Sequence, residues 1–355
     1  MFCQNFATDK ECQVTQMLNV LLIGPEPQAK GGIATVIRGM LDSDDLTKFV
    51  NLKMWPSYKN GPVIYRALYS GMRELAFRCS KRDYDIYHIH TASGTSFWRK
   101  CAYVQALRGD ANKAVLHVHG GKFVDFWDGC SLSQRNLIKE TFAKVGRVIA
   151  LSSESANMLI ARGIAHEEKI SILANAVEIP ERSKIDYSSN RVLFMGHLNE
   201  NKSPDVLIRA AAIVLESHPD VHFVFAEELE IADSCEFPGW VSGDVRSNLL
   251  SSSSIYCLPS KKEAMPMGLL EAMSFGLAVV ATRQGYIPSV IKDGENGRLI
   301  EVDDYRGLAR ILDSLIANVD LKQRIGRMAR CCVQNSFGMA SYANRLNAIY
   351  EEVAQ

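Results

Sequence analysis

The sequence predicts an α/β protein built from two Rossmann-like parallel sheets that face one another across a cleft. Three observations predict it. Short apolar runs without inside–outside alternation, such as VLLI (20–23) and LAVVAT (277–282), recur along the chain and read as strands buried on both faces. Amphipathic helical segments separate them, the rhythm of parallel βαβ units. After the polar stretch ERSKIDYSSN (181–190) that rhythm starts again, and 355 residues suffice for two domains, each with its own core. The first domain is therefore expected over residues 1–182 and the second over 183–337, with a last helix, from about 338 to 355, crossing back to the first.

In the first half, Val20–Ile23 ends at Gly24-Pro25, and Gly31-Gly32 opens the amphipathic segment GIATVIRGML. Glycine at a strand-to-helix turn lets backbone amides approach an anion, although helix geometry alone often requires it. The spacing Gly-x-Gly-x-x-Gly is absent, which disfavours a dinucleotide site. Residues 61–82 place Ile64, Leu68, Met72, Leu75 and Cys79 on one helical stripe, flanked by Arg66, Arg73, Arg78, Lys81 and Arg82. Such a helix suits an anionic membrane surface, and it equally suits a core-facing helix with a solvated basic side. Asp85–His90 and Ala114–His119 read as strands, each carrying a His-x-His pair. Alternate strand residues share a face, so a metal site is conceivable, but no Cys or Glu completes a usual ligand spacing. Ligands gather at the carboxyl ends of strands in open α/β sheets, which favours a catalytic or substrate-binding role for these histidines. Strand Val148–Ser152, helix Ser153–Arg162 and strand Lys169–Leu173 complete the half.

The second half repeats the pattern: strand Arg191–Gly196, loop HLNENKSP, helix Asp205–Leu215, then strands Val221–Ala226 and Ser254–Leu258. The segment Pro259–Gly297 is the richest in chemistry. Glu263 and Glu271 are separated by seven residues, with Gly268 between them at an expected helix start and an apolar strand after them. Amides at a helix N-terminus attract phosphate oxygens, and carboxylates accept hydrogen bonds from sugar hydroxyls. Taken alone, that spacing also describes an ordinary βαβ connection. Beyond Asp303 the chain is expected to be helical, with breaks near Asn318 and Phe337 and a last helix over Met339–Val353.

Composition narrows the class. Hydrophobic residues make up 47% of the chain, and no run approaches the roughly 20 apolar residues that span a bilayer. The first eighteen residues lack the apolar core of a signal peptide and read as a loose leader. Nine cysteines, irregularly spaced and without a CxxC pair, point to reduced thiols in a cytoplasmic setting. Net charge is zero, yet residues 1–180 hold 22 Lys/Arg against 17 Asp/Glu, and the remainder 18 against 23. A modestly basic half favours anionic lipid or an acidic ligand, and the bias is too small to suggest nucleic acid.

Read together, these pieces resemble the retaining glycosyltransferases of family 4, which have the two-domain GT-B fold. The most specific segment is CLPSKKEAMPMGLLEAMSFGLAVVAT (257–282), continued by GENGRLIEVDD; KISILANAVE, LFMGHLNENK and KGGIATVIRG match further motifs in the family's order. The resemblance implies transfer of a sugar from a nucleoside diphosphate sugar, as co-substrate and without a metal, to a glycan or lipid-linked glycan, with a role in surface polysaccharide synthesis at the cytoplasmic face of a membrane. It assigns Glu271 to the donor ribose, and Glu263 to the donor sugar and transition state. The amides around Gly268 and Leu269 would hold the distal phosphate. Lys202 would neutralise the diphosphate, with Gly32 closing over it. His119 takes the place of the active-site histidine beside sugar and acceptor.

The sequence departs from the family pattern at several points. His197 stands where arginine is common, as a donor to phosphate that is only partly charged near neutral pH. Ser203 replaces a glycine, Ala226-Glu227-Glu228-Leu229 replaces a glycine-rich segment, and Gly285-Tyr286-Ile287-Pro288-Ser289 has lost an acid. Asp83-Tyr84-Asp85 resembles the Asp-x-Asp of metal-dependent sugar transferases but precedes its strand, where acids are commonplace, and reads as a chance match. A non-catalytic sugar-nucleotide-binding subunit of a polysaccharide assembly complex is the alternative to an enzyme. A GT-B epimerase or a phosphorylase is the alternative within enzymes.

Overall fold

The computed structural model describes residues 17–355 apart from 82, 182–183, 197, 227–234, 237–240 and 242. The first sheet contains β1 (Leu18–Pro25), β2 (Val50–Tyr58), β3 (Ile86–Thr91), β4 (Ala114–Val118), β5 (Arg147–Ala150) and β6 (Ile170–Ile172) in the order β2-β1-β3-β4-β5-β6. The second contains β7 (Arg191–Met195), β8 (His222–Ala226), β9 (Cys235–Glu236), β10 (Ile255–Leu258), β11 (Ala278–Thr282) and β12 (Arg298–Ile300) in the order β12-β11-β10-β7-β8-β9. All these pairings are parallel. In each sheet the order reverses beside its first strand, β1 or β7, and such a reversal opens a ligand crevice at the carboxyl ends of the strands.

Most strands follow from their apolar runs: every residue of β3, β4, β10 and β11 is buried. Three strands are not evident in the pattern. β2 reads VNLKMWPSY and alternates poorly; it lies at the sheet edge, where Pro56 removes no hydrogen bond that a central strand would need. β9 and β12 are short edge strands. The helices after Asp303 fall where expected. Asn318 caps the helix Val319–Ser336 by accepting from the Leu321 amide, and Gly338 precedes the helix Met339–Ala354.

That last helix packs on the first sheet's domain, with Tyr342, Leu346 and Tyr350 buried, and an ion pair from Arg147 to Glu352 at 2.5 Å fixes its end. One apolar cluster runs from Ile37 and Met40 beside the first sheet, through Met339 and Leu346, to Leu269 and Met273 of the second half. The helices Gly32–Leu41 and Met267–Phe275 touch directly, and each begins at a glycine-bearing start that the sequence marks for phosphate. The boundary at 182–183 lies outside the described residues.

The helix Val63–Cys79 does not face the core. Ile64, Leu68, Met72 and Leu75 are 63–75% exposed, and Phe77 is its buried residue. Arg73 turns inward instead, donating from Nε to the Pro56 carbonyl at 3.0 Å and lying 3.9 Å from the centre of the Trp55 ring. The amphipathic pattern is present but inverted relative to a core-facing helix.

Candidate active site

Between the two halves lies a cavity of about 350 Å³, lined from the first by Gly31, Gly32 and His119 and from the second by Lys202, Glu263 and Gly268. A side chain added at Gly31 or Gly32 would meet nothing within 4 Å, so these glycines leave room for a ligand against the backbone. Gly31 also adopts φ 132° as it enters the helix, a conformation that disfavours any other residue.

Glu263 sits in the loop after β10, and its position is set by close backbone contacts. Tyr286 donates its amide to the Ala264 carbonyl at 3.0 Å. Gly285, at φ 54°, passes so close to the Glu263 carbonyl that a Cβ would overlap it, and a Cβ on Gly121 would lie 2.9 Å from the Ala264 nitrogen. The loop is thus pinned from both halves. The Glu263 carboxylate accepts from Lys202 Nζ at 2.5 Å, with the glutamate side chain only 9% exposed. Lys202 is carried into the cavity by a tight loop in which Ser203 occupies the left-handed region at φ 46°, the geometry that explains why glycine suits that position.

Gly268 lies in the first turn of Met267–Phe275, packed so that a Cβ would stand 2.6 Å from the Tyr256 hydroxyl. Leu269 is fully buried; its amide donates to the Pro266 carbonyl at 3.2 Å, and it does not line the cavity. Glu271, one turn on, sits behind the wall and is ion-paired with Arg246, which does line it. Burial raises the Glu271 carboxyl above its usual range, against the opposing pull of Arg246 and Arg38. Arg246 is held by the helix Gly243–Ser252, and its Nε is buried without a partner among the described residues. The sequence reading did not single it out, because GDVRSNLL has no motif around it. Asn175 stands in the segment KISILANAVE, where the pattern of neighbouring residues gives it no distinct role. It is 3% exposed, lines the cavity, and its Oδ1 has no partner among the described residues.

His119 closes the first-domain side and is the end of an array of imidazoles. The parallel register sets His90 beside His117, so His88, His90, His117 and His119 form two rows on one sheet face, with neighbouring ring centres 4.0–5.3 Å apart. His119 Nε2 and His90 Nδ1 share a hydrogen bond of 2.9 Å, His88 Nε2 and His117 Nδ1 one of 3.1 Å, and His88 Nδ1 meets the Tyr350 hydroxyl at 2.5 Å. Burial drives all four far below the ordinary imidazole range, His88 and His119 to about 3, so they are neutral at pH 7. His88, His90 and His117 are the described residues whose ligand atoms, within 4.8 Å of one another, could hold a metal ion. Two of those atoms are engaged with each other, and the rings are nearly parallel.

Gly32, His119, Lys202, Glu263 and Gly268 therefore share one cavity, Glu271 reaches it through Arg246, and Leu269 stands in the core. His197 lies outside the described residues, as do Glu227, Glu228 and Leu229. Asp85 has a structural role: its carboxylate accepts from the Asn19 amide at 2.8 Å and ties β3 to β1.

Residues 176–331 match the family model described as glycosyl transferases group 1. The chain is 27% identical over 316 residues to N-acetyl-alpha-D-glucosaminyl L-malate synthase of Bacillus anthracis, covering 81% of this chain and 79% of that protein. It is 25% identical over 312 residues to the UDP-Gal:alpha-D-GlcNAc-diphosphoundecaprenol alpha-1,3-galactosyltransferase of Escherichia coli, covering 76% of each. Among solved structures, sucrose-phosphate synthase of Thermosynechococcus elongatus superposes with a TM-score of 0.75 at 15% identity, over 95% of this chain and 99% of that one. Anabaena HepE in complex with UDP-glucose superposes with a TM-score of 0.70 at 15% identity, over 94% and 99%. At that identity the two structures speak to the fold alone.

Proposed function

We propose that this chain, a group 1 glycosyltransferase of the GT-B fold, transfers a sugar, with retention of configuration, from a nucleoside diphosphate sugar to a glycan or lipid-linked glycan acceptor of surface polysaccharide. The observation that carries this reading is the single cavity joining a glycine-led helix start, Lys202 and Glu263 to His119 of the opposite half. The name of the E. coli relative specifies a uridine diphosphate donor and a lipid diphosphate acceptor, which makes uridine diphosphate the first nucleotide to test.

In this reading the diphosphate lies at the start of Met267–Phe275, beside Gly268 and the positive end of the helix. Breaking the anomeric C–O bond builds negative charge on the departing phosphate and positive charge on the sugar. Lys202 leaves Glu263 for the diphosphate, an electrostatic contribution typically worth several kcal/mol, and the freed Glu263 carboxylate faces the sugar. Ribose hydroxyls donate to Glu271 once Arg246 turns toward phosphate. The neutral His119 hydrogen-bonds the sugar or acceptor rather than supplying charge. The acceptor hydroxyl attacks from the leaving-group face and passes its proton to the departing phosphate oxygen, so no side chain has to be the base and no metal is required.

Titration calorimetry with uridine, guanosine and adenosine diphosphates tests the donor site, and Glu271→Ala should weaken the preferred nucleotide by about tenfold or more, the cost of a charge-assisted hydrogen bond. If no nucleotide binds, or Glu271→Ala binds as tightly as the parent protein, this assignment fails. Turnover with the matching donor then separates the enzyme from a non-catalytic binding subunit.

The exposed stripe of Val63–Cys79 supports a further element of the reading, attachment to an anionic membrane surface. Its apolar residues point to solvent, Arg66 and Arg78 lie on the same helix, Arg78 paired with Glu74, and Lys81 follows it, which suits insertion of one helix face among anionic headgroups. Among the described residues no helix is long and apolar enough to cross a membrane.

A further inference from the structure

The two glutamates of the site differ in their access to it. Glu263 lines the cavity beside its partner Lys202. Glu271 is not among the described residues that line it; its ion-pair partner Arg246 is, and stands between the carboxylate and the cavity. Resting on the reading of this cavity as the donor site, we propose that Arg246 is a specificity-determining gate: its ion pair masks Glu271, and a diphosphate, by drawing the guanidinium to itself, unmasks the carboxylate for the ribose, so that the site selects nucleoside diphosphates over nucleosides.

The mask is strong against a nucleoside. The pair is sheltered, with the arginine side chain 18% exposed and the glutamate side chain 17%. Breaking it strands a carboxylate and a guanidinium away from bulk water, a cost that neutral ribose hydroxyls do not offset. A nucleoside therefore competes poorly with Arg246 for Glu271. A diphosphate competes for the other partner. Its oxygens match the guanidinium fork in two parallel hydrogen bonds, and its charge is at least that of the carboxylate it replaces. The pair of Lys202 with Glu263 has no such effect, because both residues stand on the wall already.

The surroundings suit a guanidinium that changes partners. Arg246 projects from the helix Gly243–Ser252, which the buried Leu249 and Leu250 anchor, so the exchange needs rotation of one side chain and no movement of the helix. Its donors are not all spent. Nη2 meets Glu271, but Nε is buried without a partner among the described residues, which leaves an N–H in want of an acceptor on a residue of the cavity wall. Glu271 also keeps a counter-charge after Arg246 turns. Arg38, on the helix Gly32–Leu41 of the other half, favours the ionised carboxyl as well. It donates to the Pro27 carbonyl from Nε at 3.1 Å and from Nη2 at 2.6 Å, which holds it where it is.

Titration calorimetry of the full chain with uridine and with uridine diphosphate reads the gate; the guanosine or adenosine pair takes their place where that diphosphate binds more tightly. At pH 8 the nucleotide is fully ionised, its second phosphate pKa being about 6. Arg246→Met should move the two affinities in opposite directions. The nucleoside should bind about threefold or more tighter, because Glu271 is unmasked, and the diphosphate about tenfold or more weaker, because a charge-assisted bond to phosphate is lost. Arg246→Gln, which keeps a polar side chain without the charge, should show the same two shifts and serves where Arg246→Met unfolds the protein. In a Glu271→Gln background the masked carboxylate is gone, and adding Arg246→Met should no longer tighten the nucleoside, a coupling that the double-variant cycle isolates. Nucleoside binding that is unchanged or weaker in both Arg246 variants, diphosphate binding that is unchanged in them, or a nucleoside gain that persists without Glu271 would each overturn the gate alone. Failure of the parent protein to bind any of the three diphosphates would overturn the donor-site reading, and the gate with it, so the two failures are told apart by the parent protein.

Discussion

At the scale of single residues, the histidine array is the feature with the clearest consequences. The fully buried imidazoles of His88, His90 and His117 are kept neutral, so their folded pKa values lie below the unfolded value near 6.5. The unfolded chain then binds more protons as pH falls below that value, and folding loses stability between about pH 6.5 and the depressed folded values. From pH 7.5 to 5.0 the loss is on the order of 2 kcal/mol for each such histidine. Urea midpoints at the two pH values should differ accordingly, and equal midpoints would show that the array is not buried and neutral. His119→Ala should lower turnover by about 10²-fold or more, the usual scale for losing a positioned polar group at the reacting centre. Nucleotide affinity should barely move, and full transfer activity in that variant would remove His119 from the mechanism. The residue scale is also where the sequence was least complete. Glu263, Lys202 and Gly268 could be read from a motif, whereas Arg246 sits in a segment without one and becomes visible only through its ion pair with Glu271.

At the scale of elements, the helix Val63–Cys79 shows what periodicity can and cannot say. The stripe of Ile64, Leu68, Met72 and Leu75 was legible in the sequence, but its direction was not, because a helical pattern fixes a face and leaves open what that face meets. Arg73 packing on Trp55 takes the inner side and leaves the apolar side to solvent. Co-sedimentation with phosphatidylglycerol-rich liposomes at low salt should therefore be strong for the parent protein and largely lost in Leu68→Glu/Leu75→Glu. Absence of binding by the parent protein, or undiminished binding by the double variant, would remove the membrane reading. β2 is the converse case: an edge strand needs neither a continuous apolar run nor a donor at every position, so VNLKMWPSY left no pattern to follow.

At the scale of the whole molecule, the two halves are joined by more than a linker. The helix Met339–Ala354 leaves the second half and buries Tyr342, Leu346 and Tyr350 against the first, with the Tyr350 hydroxyl on His88. Leu346 is fully buried, so Leu346→Ala should cost about 2–5 kcal/mol. Calorimetric scans should show that cost as a lowered Tm. An unchanged Tm would mean that the helix is not docked in this way.

The sequence by itself determined the alternation of strand and helix, the restart near residue 190, and the identity of the motif from Cys257 to Thr282. These are local quantities, carried by runs of apolar residues, by glycine at turns and by spacing along one chain. Only the tertiary structure decided which residues share the cleft. Lys202 and Glu263 are 61 positions apart, and Gly121 reaches the Glu263 loop from the other half of the chain. It also decided that Leu269 belongs to the core and that Glu271 stands behind Arg246. The physical reason is that side-chain direction, charge pairing and cavity shape arise from packing between elements, and a pattern along the chain fixes each element before it fixes their arrangement.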